Sequence, residues 1–437
     1  MKKIKRVTVQ FIVGLIISCI GITGAIAHKA YASENGIYGY VSENYLAGSN
    51  NQTYGKNNNI KVGTSDEEDK ESKEKIDIDD LGGTAKGQIE TLYNYINNMK
   101  SDVELMEYLN PKEYIQAYIS DGKGNVSFDV LAKAVVSLCF KEVKSVLVLV
   151  VSIVTIAIIC ALLKNLQDAF SDESTSKIAF YACFVLIIMI LSRSFIISIS
   201  VAKDVISNIS EFMNALLPIL VTMIGLAGGF SQAVALDPFV LGSVILIPKI
   251  YTNIIIPLIL MEFVLEFANN LSEEHKISSL CGLVKQCIIW LQGIILTAFI
   301  ALLTIRGITS STLDAVTLKT AKFAIDNFIP IVGKTFSDAI ASVAGYSLII
   351  KNAISSIGLL VIVLILLYPI IKLMMITFIY KLSAALIEPI SDSRITKSLE
   401  AAGSSMVLII SCVLTISLIF FILIAIMAQA GSFVVGG

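Results

Sequence analysis

Beyond the first third of the chain, long apolar runs alternate with short polar breaks. A run of about 20 apolar residues is long enough to cross roughly 30 Å of hydrocarbon as an α-helix. Seven such runs are expected to span: Val143 to Leu163, Ile178 to Val201, Phe212 to Phe230, Phe239 to Phe267, Val284 to Ile305, Ala353 to Leu386 and Ser405 to Met427. The fourth and sixth exceed one straight crossing, and Pro248, Pro257 and Pro369 interrupt them. Kinked, broken and paired short helices are all open there.

Ahead of the spans the pattern changes to amphipathic helix. Ile89, Leu92, Tyr93 and Ile96 lie on one stripe, and Tyr114, Ile115 and Tyr118 begin another. Ser101 with Glu104 reads as a capping box, and Asn110 followed by Pro111 as the start of the next helix. The stretch from Asp121 to Asn125 reads as a turn, with Ser127 capping the helix after it. A small helical domain is therefore expected over 84–142. The preceding segment, 33–83, is rich in Asn, Gly, Ser and mixed charge and reads as a flexible tether.

The first 32 residues carry Lys2, Lys3, Lys5 and Arg6, an apolar run from Val7 to Ile26, and the small residues Ala30 and Ala32. That order is a secretory signal peptide cleaved after Ala32, or alternatively an uncleaved anchor; both put Ser33 onward outside the cytoplasm. The expected fold is all-α: a polytopic α-helical membrane protein of about seven spans with a signal peptide and a small extracytoplasmic helical domain. Spans one to five occupy 143–305, a helical connection 306–352, and spans six and seven 353–437. With the N-terminal domain outside, the loops 164–177 and 306–352 face the cytoplasm. The second holds Arg306, Lys319, Lys322, Lys334 and Lys351, in keeping with the positive-inside rule.

Composition agrees: of 437 residues 55% are hydrophobic and 16% charged, too much apolar surface for a soluble chain to bury, so the lipid bilayer is the implied partner. A formal net charge of −2 gives no basic field for nucleic acid. The seven cysteines include no C-x-x-C pair, which leaves neither a disulfide framework nor a zinc site, and Cys281 and Cys287 read as small hydrophobes. His275 is the one histidine beyond the signal, and no H-E-x-x-H, G-x-S-x-G or phosphate-cradling loop occurs. No enzymatic activity and no cofactor is expected.

Two features point to function. Charges at membrane depth cost on the order of 3 kcal/mol each even on the lenient insertion scale, so those that remain have a reason. Glu262 and Glu266 share one face of the fourth span, and Arg193, Lys249, Lys372 and Lys381 also sit within apolar runs. They are candidates for polar lining or charge pairing; for Arg193, Lys249 and Lys381 the competing reading is snorkelling to headgroups. The second feature is helix packing. In the connection, Lys319, Lys322 and Asp326 oppose Leu313, Ala321, Ala324 and Phe328, making an amphipathic helix. Asn327 to Pro330 breaks it, and a second helix near Phe336 carries Ser337, Ala341 and Gly345 at four-residue spacing. Gly225 and Gly229 repeat the device, which lets helices approach closely, inside one chain or between copies of a homo-oligomer.

The words Thr317-Leu318-Lys319-Thr320-Ala321-Lys322-Phe323, Asn327-Phe328-Ile329-Pro330, Gly333-Lys334, Phe336-Ser337-Asp338, Lys351-Asn352 and Phe378-Ile379-Tyr380-Lys381-Leu382 with Pro389 resemble stage III sporulation protein AE of endospore-forming bacteria. The resemblance runs from the helix before the first span to the C-terminus. It implies a membrane subunit of the channel or secretion-like complex that links mother cell and forespore and is required for late forespore development. The implied location is the mother-cell membrane surrounding the forespore. The implied partners are the other membrane proteins of the stage III sporulation operon and a forespore membrane partner. A membrane scaffold without transport and a secondary transporter of a small solute are the alternative classes. No catalytic residues come with the resemblance.

Overall fold

The computed structural model describes residues 83–101, 103–121, 150–162, 173–271, 277–328 and 333–430, with isolated positions between 133 and 148. The signal segment, the tether and the turn after Asp121 lie outside the described residues.

Helix α1, Gly83–Asn98, buries Ile89, Leu92 and Ile96 as the apolar stripe requires. Two short 3₁₀ turns come next, Met99–Ser101 and Glu104–Tyr108. Ser101, expected to open the next helix, belongs instead to the first turn, and the second starts after Val103. Helix α2 is Pro111–Asp121, with proline at its first position, where the missing N–H costs nothing. A short apolar helix α3, Val150–Leu162, precedes the long ones.

Among the described residues, five helical stretches are long and apolar enough to cross a membrane, and no strand occurs. Helix α4 is Glu173–Leu226. Helix α5, Phe230–Ile250, passes through a π turn, Tyr251–Ile255, into α6, Ile256–Leu271. Helix α7 is Ser278–Phe328, α8 Gly333–Ile387, and α9 Ser393–Gln429. The molecule is an all-α membrane protein.

These elements correct the division read from the sequence. The runs 178–201 and 212–230 were expected as two spans; residues 173–226 are one helix. Hydropathy dips between them at Lys203, Asp204, Ser207 and Glu211, but a dip is not a stop. No glycine or proline lies there, the polar side chains project outward, and Ala202, Val205, Ile206 and Ile209 continue the buried stripe. Similarly, 306–328 prolongs α7 and 333–352 opens α8, without a boundary at either membrane run; the expected break falls at Phe328, as read. Pro369 lies inside α8, and the Val244 carbonyl that Pro248 leaves without its backbone donor accepts instead from the Ser210 hydroxyl at 3.2 Å.

Joining two spans into one reverses every later helix. Phe195 stacks on Phe263 at 3.7 Å and Ser210 donates to the Val244 carbonyl, so α4 is antiparallel to α5–α6. Phe239 meets Phe299, making α7 antiparallel in turn. Lys351 reaches Ala428 while Lys381 lies against Gly403, so α8 runs opposite to α9. The α7–α8 turn therefore sits at the end opposite the start of α4, not on the same side as expected for 164–177 and 306–352. It shares its end with the N-terminal helices: Tyr95 of α1 packs on Phe212, and the Tyr114 hydroxyl of α2 bonds to Ser356 at 2.8 Å.

Helix α9 is the axis. In its most apolar stretch 61% of residues are buried, against 22% for α7 and 33–39% for the others, so α9 is enclosed while the rest turn a side outward. Those outer faces are apolar: Ile196 and Ile197 on α4, Leu246 on α5, Trp290 and Ile294 on α7, Phe378 on α8. Such a surface suits acyl chains. Gly358 of α8 sets the closest approach, because a Cβ there would lie 2.8 Å from Leu216 Cδ2 of α4 and 3.5 Å from Ile424 of α9. Leu216 and Ile424 are fully buried and have little room to move. Gly358→Ala is expected to lower the thermal stability of the purified protein in detergent by about 1–3 kcal/mol. In combination with Leu216→Ala the losses should be less than additive, which a double-mutant cycle measures.

Candidate functional site: a buried polar seam along α9

Polar side chains inside an apolar bundle need partners, and α9 brings many. Several of its hydroxyls turn back to carbonyls one turn earlier: Ser398 to Arg394, Ser405 to Ala401, Thr415 to Ser411 and Ser417 to Val413. Two also reach across to neighbouring helices. The Ser405 hydroxyl contacts Glu262 Oε2 of α6 at 2.6 Å, and the Ser411 hydroxyl donates to Gln292 Oε1 of α7 at 2.9 Å.

Glu262 is fully buried, and its second carboxyl oxygen, Oε1, has no hydrogen-bond partner. Gln292 is almost as enclosed and its Nε2 is likewise unpartnered. Further along, Tyr251 in the π turn is fully buried; its hydroxyl approaches Thr415 without closing a hydrogen bond. Glu262, Gln292 and Tyr251 thus face α9 from α6, α7 and the π turn. The levels of Ser405, Ser411 and Thr415 are separated by about 9 and 6 Å of helix rise. At the Ser405 end, half-buried Glu266 lies one turn from Glu262, and the charge of half-buried Lys285 on α7 acts on both carboxylates.

Of the charged residues singled out in the sequence, Glu262 and Glu266 meet at the seam, one turn apart on α6. Arg193 and Lys249 are exposed on the outer faces of α4 and α5, which fits snorkelling. Lys372 is half-buried with its ammonium 5.8 Å from the Tyr368 ring. Lys381 is exposed, its stem laid on Gly403 of α9. The small-residue candidates also separate. Gly225 has Ala233 at an ordinary 3.9 Å from its Cβ position, and Gly345 has nothing within 4 Å. Gly229 caps α5, beside Gly228, whose φ of 93° makes the tight α4–α5 turn. The side chains of Ser337 and Ala341 lie outside the described residues.

Lys351 is the residue sequence reading placed wrongly, as a loop cation. It is fully buried in α8 and its Nζ donates to the carbonyls of Ala428, at 2.7 Å, and Ala430. Those carbonyls end α9 and have no partner within the helix, so the ammonium satisfies them and meets the negative end of the helix dipole. The signal available was a lysine at the edge of the sixth apolar run, with Ser347 and Ser355 one turn to either side.

Ser405→Ala strips Glu262 of its hydrogen-bond partner and is expected to destabilise the protein by about 1–3 kcal/mol, whereas adding Glu262→Met removes both polar groups and recovers most of that loss in detergent melting curves. Lys351→Met should leave melting of the N-terminal helices unchanged while hydrogen exchange accelerates over the last turn of α9, read by mass spectrometry of the C-terminal peptides.

Comparison with known proteins assigns the chain. A protein from Bacillus subtilis (strain 168) described as "Stage III sporulation protein AE" is 29% identical over 328 residues, covering 75% of this chain and 79% of that one. No solved structure matches. Residues 109–431, which include the whole seam and all five long helices, match the family described as Stage III sporulation protein AE, and the chain belongs to that family.

Proposed function

We propose that this protein is a membrane subunit of the channel or secretion-like complex joining mother cell and forespore, required for late forespore development. It resides in the mother-cell membrane around the forespore and assembles there with the other membrane proteins of the stage III sporulation operon and a forespore membrane partner. Family membership supports the sporulation setting. Outward apolar faces on four of the five long helices support lipid and membrane-protein neighbours. The observation that carries a conducting or coupling role is the fully buried Glu262 with an unpartnered oxygen, because a bundle built only to hold partners is more stable with an apolar residue there.

A scaffold is the second reading, favoured by the Ser405 bond to Glu262, which ties α6 to α9 whatever the complex does. The two separate in sporulating cells that carry Glu262→Gln with Glu266→Gln in place of the native gene. On the proposal, the complex assembles and late forespore-specific gene expression falls at least tenfold. Normal expression with normal assembly leaves a scaffold. Expression lost together with assembly assigns the carboxylates to structure.

A further inference from the structure

The seam holds three polar atoms that the fold leaves without partners: Glu262 Oε1, Gln292 Nε2 and the Tyr251 hydroxyl. Each belongs to a side chain at most 4% exposed. One such atom would be a local defect, but three facing the same stretch of one helix are a pattern. Buried polar groups in native proteins are nearly always satisfied, and where side chains do not do it, ordered water does. An acceptor, a donor and a hydroxyl that can do either are the set that a short file of water joins.

The seam leads toward one end of the bundle. Glu266 and Lys285 are only half-buried and lie toward the end where α6 stops and α7 begins. At the other end stands Tyr251 in the π turn. A π turn widens the helix by one residue and recurs at functional sites. Here it comes directly after Pro248 and turns the tyrosine inward against Cys412 and Thr415.

We propose that the seam between α6, α7 and α9 is a hydrated proton-binding site, in which Glu262 takes the proton and water links its free oxygen to Gln292 and Tyr251. The alternative of a metal ion lacks donors, since no group of three histidine, cysteine, aspartate or glutamate side chains is clustered among the described residues. A proton needs one oxygen, and Oε1 is that oxygen. The groups facing Glu262 are Glu266 from its own helix, Lys285 and Cys281 from α7, and Ser405 from α9. Helix α4 packs at this level through Phe195, stacked on Phe263, and α8 through Lys381 on Gly403. This inference rests on the seam alone and not on the channel reading.

The test uses the full-length protein in detergent or lipid nanodiscs and dicyclohexylcarbodiimide, an apolar reagent that adds to a protonated carboxyl in an apolar site. The acid's O–H adds across one C=N bond, and the O-acyl product rearranges to a stable N-acylurea, with nothing released. Peptide mapping by mass spectrometry is expected to find the adduct on Glu262, with labelling largely lost as the pH is raised and absent in Glu262→Gln. Gln292→Leu, which breaks the water file, should slow deuterium exchange of the Glu262 acid proton several-fold in infrared difference spectra without abolishing labelling. No adduct on Glu262 at any pH, an adduct confined to Glu266, or labelling indifferent to pH would overturn the proposal. Because the assay is made on the purified chain and reads no sporulation phenotype, its failure is distinct from failure of the channel reading.

Discussion

Inside a bilayer no water waits to satisfy a polar group, and apolar side chains gain little by leaving lipid for protein. What holds the helices together is therefore close packing plus hydrogen bonds between side chains and backbones. Helix α9 is where both are concentrated. Its hydroxyls close on its own carbonyls or on Glu262 and Gln292, its last carbonyls are met by Lys351, and its side chains fill the space that Gly358 leaves open. Helices α4, α6 and α8 pack extensively on α9, while α5 is held chiefly by α4 and α7.

Much of this was legible in the chain. Apolar runs named the helices, because twenty apolar residues have few other fates. Glu262 and Glu266 stood out because carboxylates are rare at such depth. Periodicity also found the N-terminal helices, since Ile89, Leu92 and Ile96 could only be a buried stripe. Not every helix boundary was legible. A polar patch such as Lys203 to Glu211 looks like a loop in a hydropathy profile, yet helix stops are made by glycine, proline and caps, and none occurs there. One misread boundary then changed the parity of everything after it.

The site was legible in part for the same reason. A lone charge announces itself in sequence, but its partner does not. Ser405, Gln292 and Tyr251 are ordinary residues until α6, α7 and the π turn bring them to one groove. Lys351 is the converse case: it was visible as a charge but was assigned to water, because the carbonyls it serves are 77 and 79 residues away.

Helix α4 has a mechanical implication. Its 54 residues make one continuous helix with about 81 Å of rise, more than twice the thickness of the hydrocarbon it enters, and Pro218 lies beyond the stretch from Tyr181 to Phe212. Phe212, where α1 rests, and Tyr181, whose ring lies 5.9 Å from the Arg394 guanidinium at the start of α9, are on the same rod, 31 residues apart. A rod of that kind does not absorb a push by bending at a loop. Tilting the N-terminal helices on one side of the bundle swings the opposite end of α4 as a lever swings about its fulcrum, and the fulcrum is the tight contact at Gly358.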